Sequence, residues 1–177
     1  MKRATHFAAM ALASAVLAAC SQAGPMSTMG PRAAASLEPT KGNTAAGTVT
    51  FQQRGDHVTV TAKLSGLKPN AEHGFHVHEK GDCSSGDGMS TGGHYNPTAK
   101  PHGPPNAEHH AGDIPALKAD ASGNVQMTFE LNGVSLGSGG ADIVGRGLIV
   151  HAGPDDYKTQ PTGNSGARIA CGVIRMQ

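Results

Sequence analysis

The sequence predicts an all-β fold, an antiparallel sandwich or barrel built as one domain, and three observations predict it. Apolar and polar residues alternate with a period of two in a series of short segments. Glycine and proline are abundant, at 25 and 11 residues, while aromatics make up 3% and tryptophan is absent, a composition of many turns rather than long helices. No segment of the domain carries convincing helical periodicity, and no internal repeat is visible. The 177 residues suffice for one domain with appendages. A net charge of +1, with no basic run inside the domain, gives no footprint for a nucleic-acid partner.

Each element follows in chain order. Lys2 and Arg3 precede an apolar stretch from Phe7 to Leu17 and then small residues, which reads as a secretory signal over residues 1–19, too short to span a bilayer comfortably. Leu17-Ala18-Ala19-Cys20 resembles the bacterial lipobox, after which Cys20 becomes the lipid-bearing first residue. Ordinary cleavage near this point, with a passive thiol at Cys20, is the alternative. Three cysteines are an odd number for an exported chain, and lipidation of Cys20 leaves an even one. Residues 20–43 mix Gly, Pro, Ser, Thr and Ala without periodicity and read as a flexible tether, so the domain is expected over residues 44–177. Within it GTVTFQQ, HVTVTAKLSGL, GFHVH, NVQMTFELNG, GLIVH and CGVIRM alternate as half-buried strands do. Asp120-Ala121-Ser122-Gly123 reads as a tight turn ahead of the strand from Asn124.

One segment resists this pattern. Glu79 to Asp113 is rich in Gly, Pro, His and Asp with no periodicity, and a loop of that length in a compact domain has to be tied down or functional. Of the chain's ten histidines, seven lie between His73 and His110, spaced among turn residues rather than contiguous as in a solvated His-rich tract. On a strand, residues two apart share a face, so His76 and His78 present a ready pair of metal ligands. His94, His102, His110 and Asp113 add three imidazoles and a carboxylate that can fold round one ion, a donor set that suits tetrahedral zinc. A set of imidazoles near square-planar geometry suits copper(II), which fits His76, His78 and two more histidines, with His151 at the end of GLIVH a natural further candidate.

GFHVHEKGDC, GGHYNP, KPHG, HHAGD, GRGLIVHAGPDD and GNSGARIACGVI, in this order and spacing from Gly47 to Ile174, resemble the copper/zinc superoxide dismutases in their bacterial exported form. The resemblance implies a Greek-key antiparallel barrel of about eight strands with a long metal-binding loop, the sandwich class to which this family belongs. It implies one copper per subunit on His76, His78, His94 and His151, and one zinc on His94, His102, His110 and Asp113, with His94 shared. It further implies Arg168 beside the open copper face as the group that attracts and orients an anion. Asp155 is implied as the acid joining copper and zinc histidines, with Asp156 adjacent to it. Cys83 and Cys171 are implied as a disulfide pinning the long loop to the last strand. His73 matches a packing position, while His109, His57 and His6 read as bystanders.

The implied activity is disproportionation of two superoxide radicals to dioxygen and hydrogen peroxide by copper(II)/copper(I) cycling, with zinc structural and a proton carried by His94. Electrostatic guidance and a rate near the diffusion limit are properties of the family. A periplasmic copper or zinc carrier on the same scaffold is the alternative, although binding alone requires neither a shared His94 nor Arg168. The implied location is the periplasm or cell envelope, anchored to a membrane through lipid on Cys20, with Ser21 leaning toward the outer membrane. The sequence departs from the animal enzymes between His151 and Arg168, where AGPDDYKTQPTGNSGA is shorter and lacks their acids and lysine. Lys158, Lys80 and Lys100 are left as candidates for substrate steering, the animal dimer is not assumed, and homodimer and monomer both stay open.

Overall fold

The computed structural model describes Met1 and residues 30–177, so Cys20 and the signal segment after Met1 lie outside the described residues. Ten strands follow in order: β1 (Arg32–Pro39), β2 (Ala46–Arg54), β3 (His57–Ser65), β4 (Glu72–His73), β5 (Phe75–His78), β6 (Leu117–Lys118), β7 (Val125–Asn132), β8 (Gly147–His151), β9 (Arg168–Val173) and β10 (Arg175–Met176). One curled sheet runs β5-β8-β9-β1-β2-β3-β7, with β10 added on β1, while β4 and β6 pair separately. All pairings between these strands are antiparallel. After β3 the chain crosses to β5 at the opposite edge of the sheet, returns to β7 beside β3, and crosses again to β8 beside β5. These are Greek-key connections.

Alternation explains the core. Val58, Val60, Ala62 and Leu64 of β3 point inward and meet Val49 and Phe51 of β2, with Phe51 opposite Val60 in the register. Val125 and Leu131 of β7, Leu148 and Val150 of β8 and Ile174 complete the same cluster. The Asp120 turn forms as its composition dictates: the Ser122 and Asn124 N–H groups donate to Asp120 Oδ1 at 2.8 and 2.9 Å.

The tether expected over residues 20–43 is corrected here, because residues 32–39 of it form β1, in the middle of the sheet between β9 and β2. Ala33, Ala35 and Leu37 are buried and belong to the core, alternating with Arg32, Ser36 and Glu38 on the outside. The alternation is real but is written in alanine, whose small apolar surface gives little contrast with serine. The expected strand CGVIRM is also divided: β9 begins earlier, at Arg168, and Ile174 separates it from β10.

β5 and β8 differ from the rest in being buried on both faces. Phe75 and Val77 face the hydrophobic core, so His76 and His78 face the other way, and the loop from Glu79 to Asp113 covers them. That loop has little regular structure, a single 3-10 turn at Met89–Thr91, yet it is fastened at several points. Bridges join His78 to His94 and His76 to Asp113, and the Val77 and Tyr95 N–H groups donate to the Gly112 and Val77 carbonyls at 2.9 and 2.8 Å. A disulfide joins Cys83 in the loop to Cys171 in β9 across 88 residues, with their Cα atoms 5.9 Å apart.

Candidate metal centre

The seven histidine and aspartate side chains named from the sequence gather in two clusters, each with its potential ligand atoms within 4.8 Å of one another. His76, His78, His94 and His151 form the first, and His94, His102, His110 and Asp113 the second. All seven are buried, at 5% exposure or less. Strand geometry supplies His76 and His78 from β5. His151 comes from the end of β8, where a register shift between Val150 and His151 marks a bulge.

The hydrogen bonds fix which nitrogen of each ring is left over. His76 Nε2–H donates to Asp155 Oδ2 at 2.7 Å, which leaves Nδ1 as the lone pair. His78 Nδ1–H donates to the Gly92 carbonyl at 2.9 Å and His151 Nδ1–H to the Gly166 carbonyl at 3.1 Å, so Nε2 is left on both. His94 Nδ1 lies 2.8 Å from Asp113 Oδ1, leaving Nε2 for the first cluster. These four nitrogens, one from each ring, are buried without a hydrogen-bond partner. Orphaned buried acceptors are costly, and four that converge fit a cation with a preference for imidazole.

The second cluster is built on the same plan. His102 Nε2–H donates to Asp155 Oδ1 at 2.9 Å, and the Gly103 and His110 N–H groups donate to Asp113 Oδ2 at 3.2 and 3.0 Å. That leaves His102 Nδ1 and His110 Nδ1, at 3.0 and 3.3 Å from Asp113 Oδ1, with no hydrogen-bond partner. Three nitrogens and one carboxylate oxygen, closed in by protein, fit a tetrahedral zinc ion with no open position. His94 offers Nδ1 to this cluster and Nε2 to the other.

Burial disfavours the protonated form of four of the rings and so leaves their lone pairs available. Loss of solvation pulls His78 down to about 2 and His151 to about 4, with the neighbouring His94 and Arg168 charges acting in the same direction against the hydrogen bonds to Gly92 and Gly166. Burial likewise holds His76 well below the usual histidine value, and lowers His110. For Asp113, burial alone would raise the pKa, but the hydrogen bond from His94 and the charges of His102, His94 and His110 leave it below the ordinary carboxylate value.

Asp155 is buried and links the clusters, with one oxygen on His76 and the other on His102 and the Tyr157 N–H, the last at 2.7 Å. Asp156, its neighbour, is exposed and instead accepts from Lys158, Thr159 and the Thr159 hydroxyl. Gly163 closes over Asp155. Its φ of +66° and the 1.8 Å that would separate a Cβ from Asp155 Oδ1 exclude any other residue there.

Arg168, at the start of β9, is half-buried, and its guanidinium donates to the Gly88 carbonyl, the Thr91 hydroxyl and the Gly92 carbonyl at 2.7, 2.8 and 2.8 Å. Burial lowers its pKa and Asp87 opposes this, but an arginine remains charged at any physiological pH. His73 is buried outside both clusters and its Nδ1–H donates to the His151 carbonyl at 2.8 Å. His57 sits at the start of β3 beside Asp56, and His109 donates to the His110 carbonyl. Lys158, Lys80 and Lys100 are all exposed. Sequence reading missed the carbonyls of Gly92 and Gly166 and the Thr91 hydroxyl, and backbone acceptors leave no signature by which it could have found them.

A family model described as copper/zinc superoxide dismutase (SODC) matches residues 45–174. Among curated proteins, the copper-zinc superoxide dismutases 2 and 1 of Aquifex aeolicus (strain VF5) are 46% identical over 123 residues and 44% identical over 128 residues. These alignments cover 67% and 70% of this chain and 72% and 76% of the relatives. Among solved structures, the crystal structure of the clock protein EA4 superposes with a TM-score of 0.76 at 41% identity, covering 85% of this chain and 97% of that one.

Proposed function

This chain belongs to the copper/zinc superoxide dismutase family, and from that premise we propose how its own residues disproportionate superoxide. The enzyme is an oxidoreductase that uses copper and zinc and converts superoxide to dioxygen and hydrogen peroxide. In our assignment His76 Nδ1 and the Nε2 atoms of His78, His94 and His151 hold copper, while the Nδ1 atoms of His94, His102 and His110 with Asp113 Oδ1 hold zinc. When bound, copper would supply one-electron redox chemistry, and zinc would supply a fixed positive charge.

The rest is the work of side chains. Arg168 draws in an anion too small to offer other handles and holds it by charge and N–H donation. His94 Nε2 takes a proton when it is free and gives it to the reduced product, with the ring held in place through Nδ1 on the Asp113 side. Asp155 fixes the tautomers of His76 and His102 together, so the two sites share one positioning group. The loop from Glu79 to Asp113, folded over β5, keeps the ligand side chains at 5% exposure or less and so away from bulk water.

The observation that carries this reading is the double membership of His94, with one nitrogen for each cluster. Its test is superoxide turnover by protein reconstituted with copper and zinc, compared with His94→Ala. A marked fall in turnover in His94→Ala supports the reading. Tight binding of both metals with negligible turnover by the unaltered protein favours a carrier.

We place the protein in the periplasm, held at the cell envelope by lipid on Cys20, from the signal, the lipobox and the family's exported members. Among the described residues no helix is long and apolar enough to cross a membrane; the attachment proposed here rests on the lipobox alone. Mass spectrometry of the mature N-terminus tests this: an unmodified terminus elsewhere than Cys20 overturns it.

A further inference from the structure

The turn from Gly88 to Gly92 carries no metal ligand, yet it holds the two sides of the first cluster together. The Gly92 carbonyl accepts from both His78 Nδ1–H and Arg168 Nη2–H, at 2.9 and 2.8 Å. The Gly88 carbonyl accepts from Arg168 Nη1–H at 2.7 Å and from the Thr91 hydroxyl at 2.8 Å. The Thr91 oxygen then accepts the other Nη1–H of Arg168, at 2.8 Å. With its own proton spent on Gly88, that oxygen can only present lone pairs to the guanidinium.

Thr91 is placed firmly enough to act as a stop. It is fully buried, its carbonyl accepts from the Lys80 N–H at 2.9 Å, and its methyl packs on Gly147 of β8, where an added Cβ would come within 2.8 Å. A β-branched side chain so packed is restricted at χ1, and its hydroxyl is further held by the Gly88 carbonyl. Carbonyl acceptors at Gly88 and Gly92 alone would leave one Nη1–H unmatched and hold the guanidinium at two points rather than three. With Thr91 in place three N–H groups are fixed, and Nε–H and the second Nη2–H are left without a partner among the described residues.

We propose that Thr91 is a positioning residue, whose hydroxyl sets the angle of the Arg168 guanidinium so that its two unspent N–H groups form a fixed donor pair for the anion. The inference rests on the reading of Arg168 as the group that meets superoxide. Its chemistry lies in the hydroxyl, not in the shape of the side chain, which separates two variants: Thr91→Val keeps the shape and removes the oxygen, while Thr91→Ser keeps the oxygen and removes the methyl.

The first measurement uses metal-free and zinc-loaded protein, with nitrogen NMR of the Arg168 side chain reporting rotation about Nε–Cζ. The expected result is slow rotation with separate Nη signals in the unaltered protein and Thr91→Ser, and at least about fivefold faster rotation in Thr91→Val, given that a charge-assisted hydrogen bond is lost. The second uses protein loaded with both metals, following superoxide turnover and the affinity for azide as a probe anion. In Thr91→Val both should fall by about threefold to tenfold, as a small misplacement of an orienting group costs, with Thr91→Ser largely restoring them. Unchanged rotation in Thr91→Val, or equal impairment of both variants, overturns the proposal. A clear rotational difference in a protein that turns over no superoxide when fully loaded supports the positioning and instead overturns the functional reading.

Discussion

Replacing Asp155 by asparagine should damage one metal site and spare the other. The carboxylate accepts three hydrogen bonds: Oδ2 takes His76 Nε2–H, while Oδ1 takes both His102 Nε2–H and the Tyr157 N–H. Asparagine has one oxygen. Placed at Oδ1 it keeps two of the three bonds, and its amide then points two hydrogens at His76 Nε2–H across the 2.7 Å now spanned by a hydrogen bond. Donor facing donor is relieved if His76 moves its proton to Nδ1, but that is the nitrogen assigned to copper. Loss of such an orienting partner typically weakens metal binding about 10–100-fold, or roughly 1.4–2.7 kcal/mol. Copper affinity should fall by that amount in Asp155→Asn and zinc affinity by less than about threefold, whereas Asp155→Ala strips both rings and weakens both metals. Competition of the metal-free protein against chelators of known strength, run separately for copper(II) and zinc(II), measures this. The reasoning is refuted if Asp155→Asn and Asp155→Ala weaken zinc equally, or if neither touches copper.

The other predictions are simpler. Arg168→Gln should slow superoxide turnover roughly tenfold to a hundredfold and flatten its dependence on ionic strength, since one charge and its donors are lost; a salt profile like that of the unaltered enzyme would remove Arg168 from the mechanism. Metal-free protein should lose stability as pH falls from 7 toward 4. His151 at about 4 in the folded state takes up its proton near 6.5 once unfolded, so its contribution is complete above about 6.5, disappears toward 4, and amounts to about 3 kcal/mol. The exposed carboxylates with lowered pKa act below that window. Urea midpoints that do not change between pH 7 and 4.5 would contradict it. Substituting both Cys83 and Cys171 with serine frees an 88-residue loop and should cost at most about 4 to 5 kcal/mol of stability, read from urea unfolding of metal-free protein. Gly163→Ala should perturb both sites by displacing Asp155, and a variant with normal zinc affinity would show that the contact yields easily.

Strand alternation made β2, β3 and β7 legible, because valine and phenylalanine stand out sharply against threonine, lysine and glutamine, while β5 alternates with histidine and β8 is a short apolar run bounded by Gly147 and His151. The same alternation in β1 went unread, since alanine against serine differs by one oxygen atom. β4 and β6, two residues each, are too short for any period to register. Around the metals, the histidines and Asp113 could be found because side-chain chemistry is written in the sequence, and their spacing matched one family. The carbonyls of Gly92 and Gly166 could not, because every residue has a carbonyl and only the folded chain says which one faces a ring. Thr91 was hidden differently: a threonine among serines and glycines looks like any loop residue until Gly147 and Arg168 are placed against it.

The position of β1 also sets the reach that the proposed lipid anchor would allow. Its first residue, Arg32, already pairs with Gln52 in β2. If lipid is attached at Cys20, only residues 21–31 lie between the bilayer and the sheet, a leash of at most about 40 Å when fully drawn out. Under that proposed anchor, a leash so short would hold the barrel within a thin layer next to the lipid, where radicals arising at or crossing that surface would be met first.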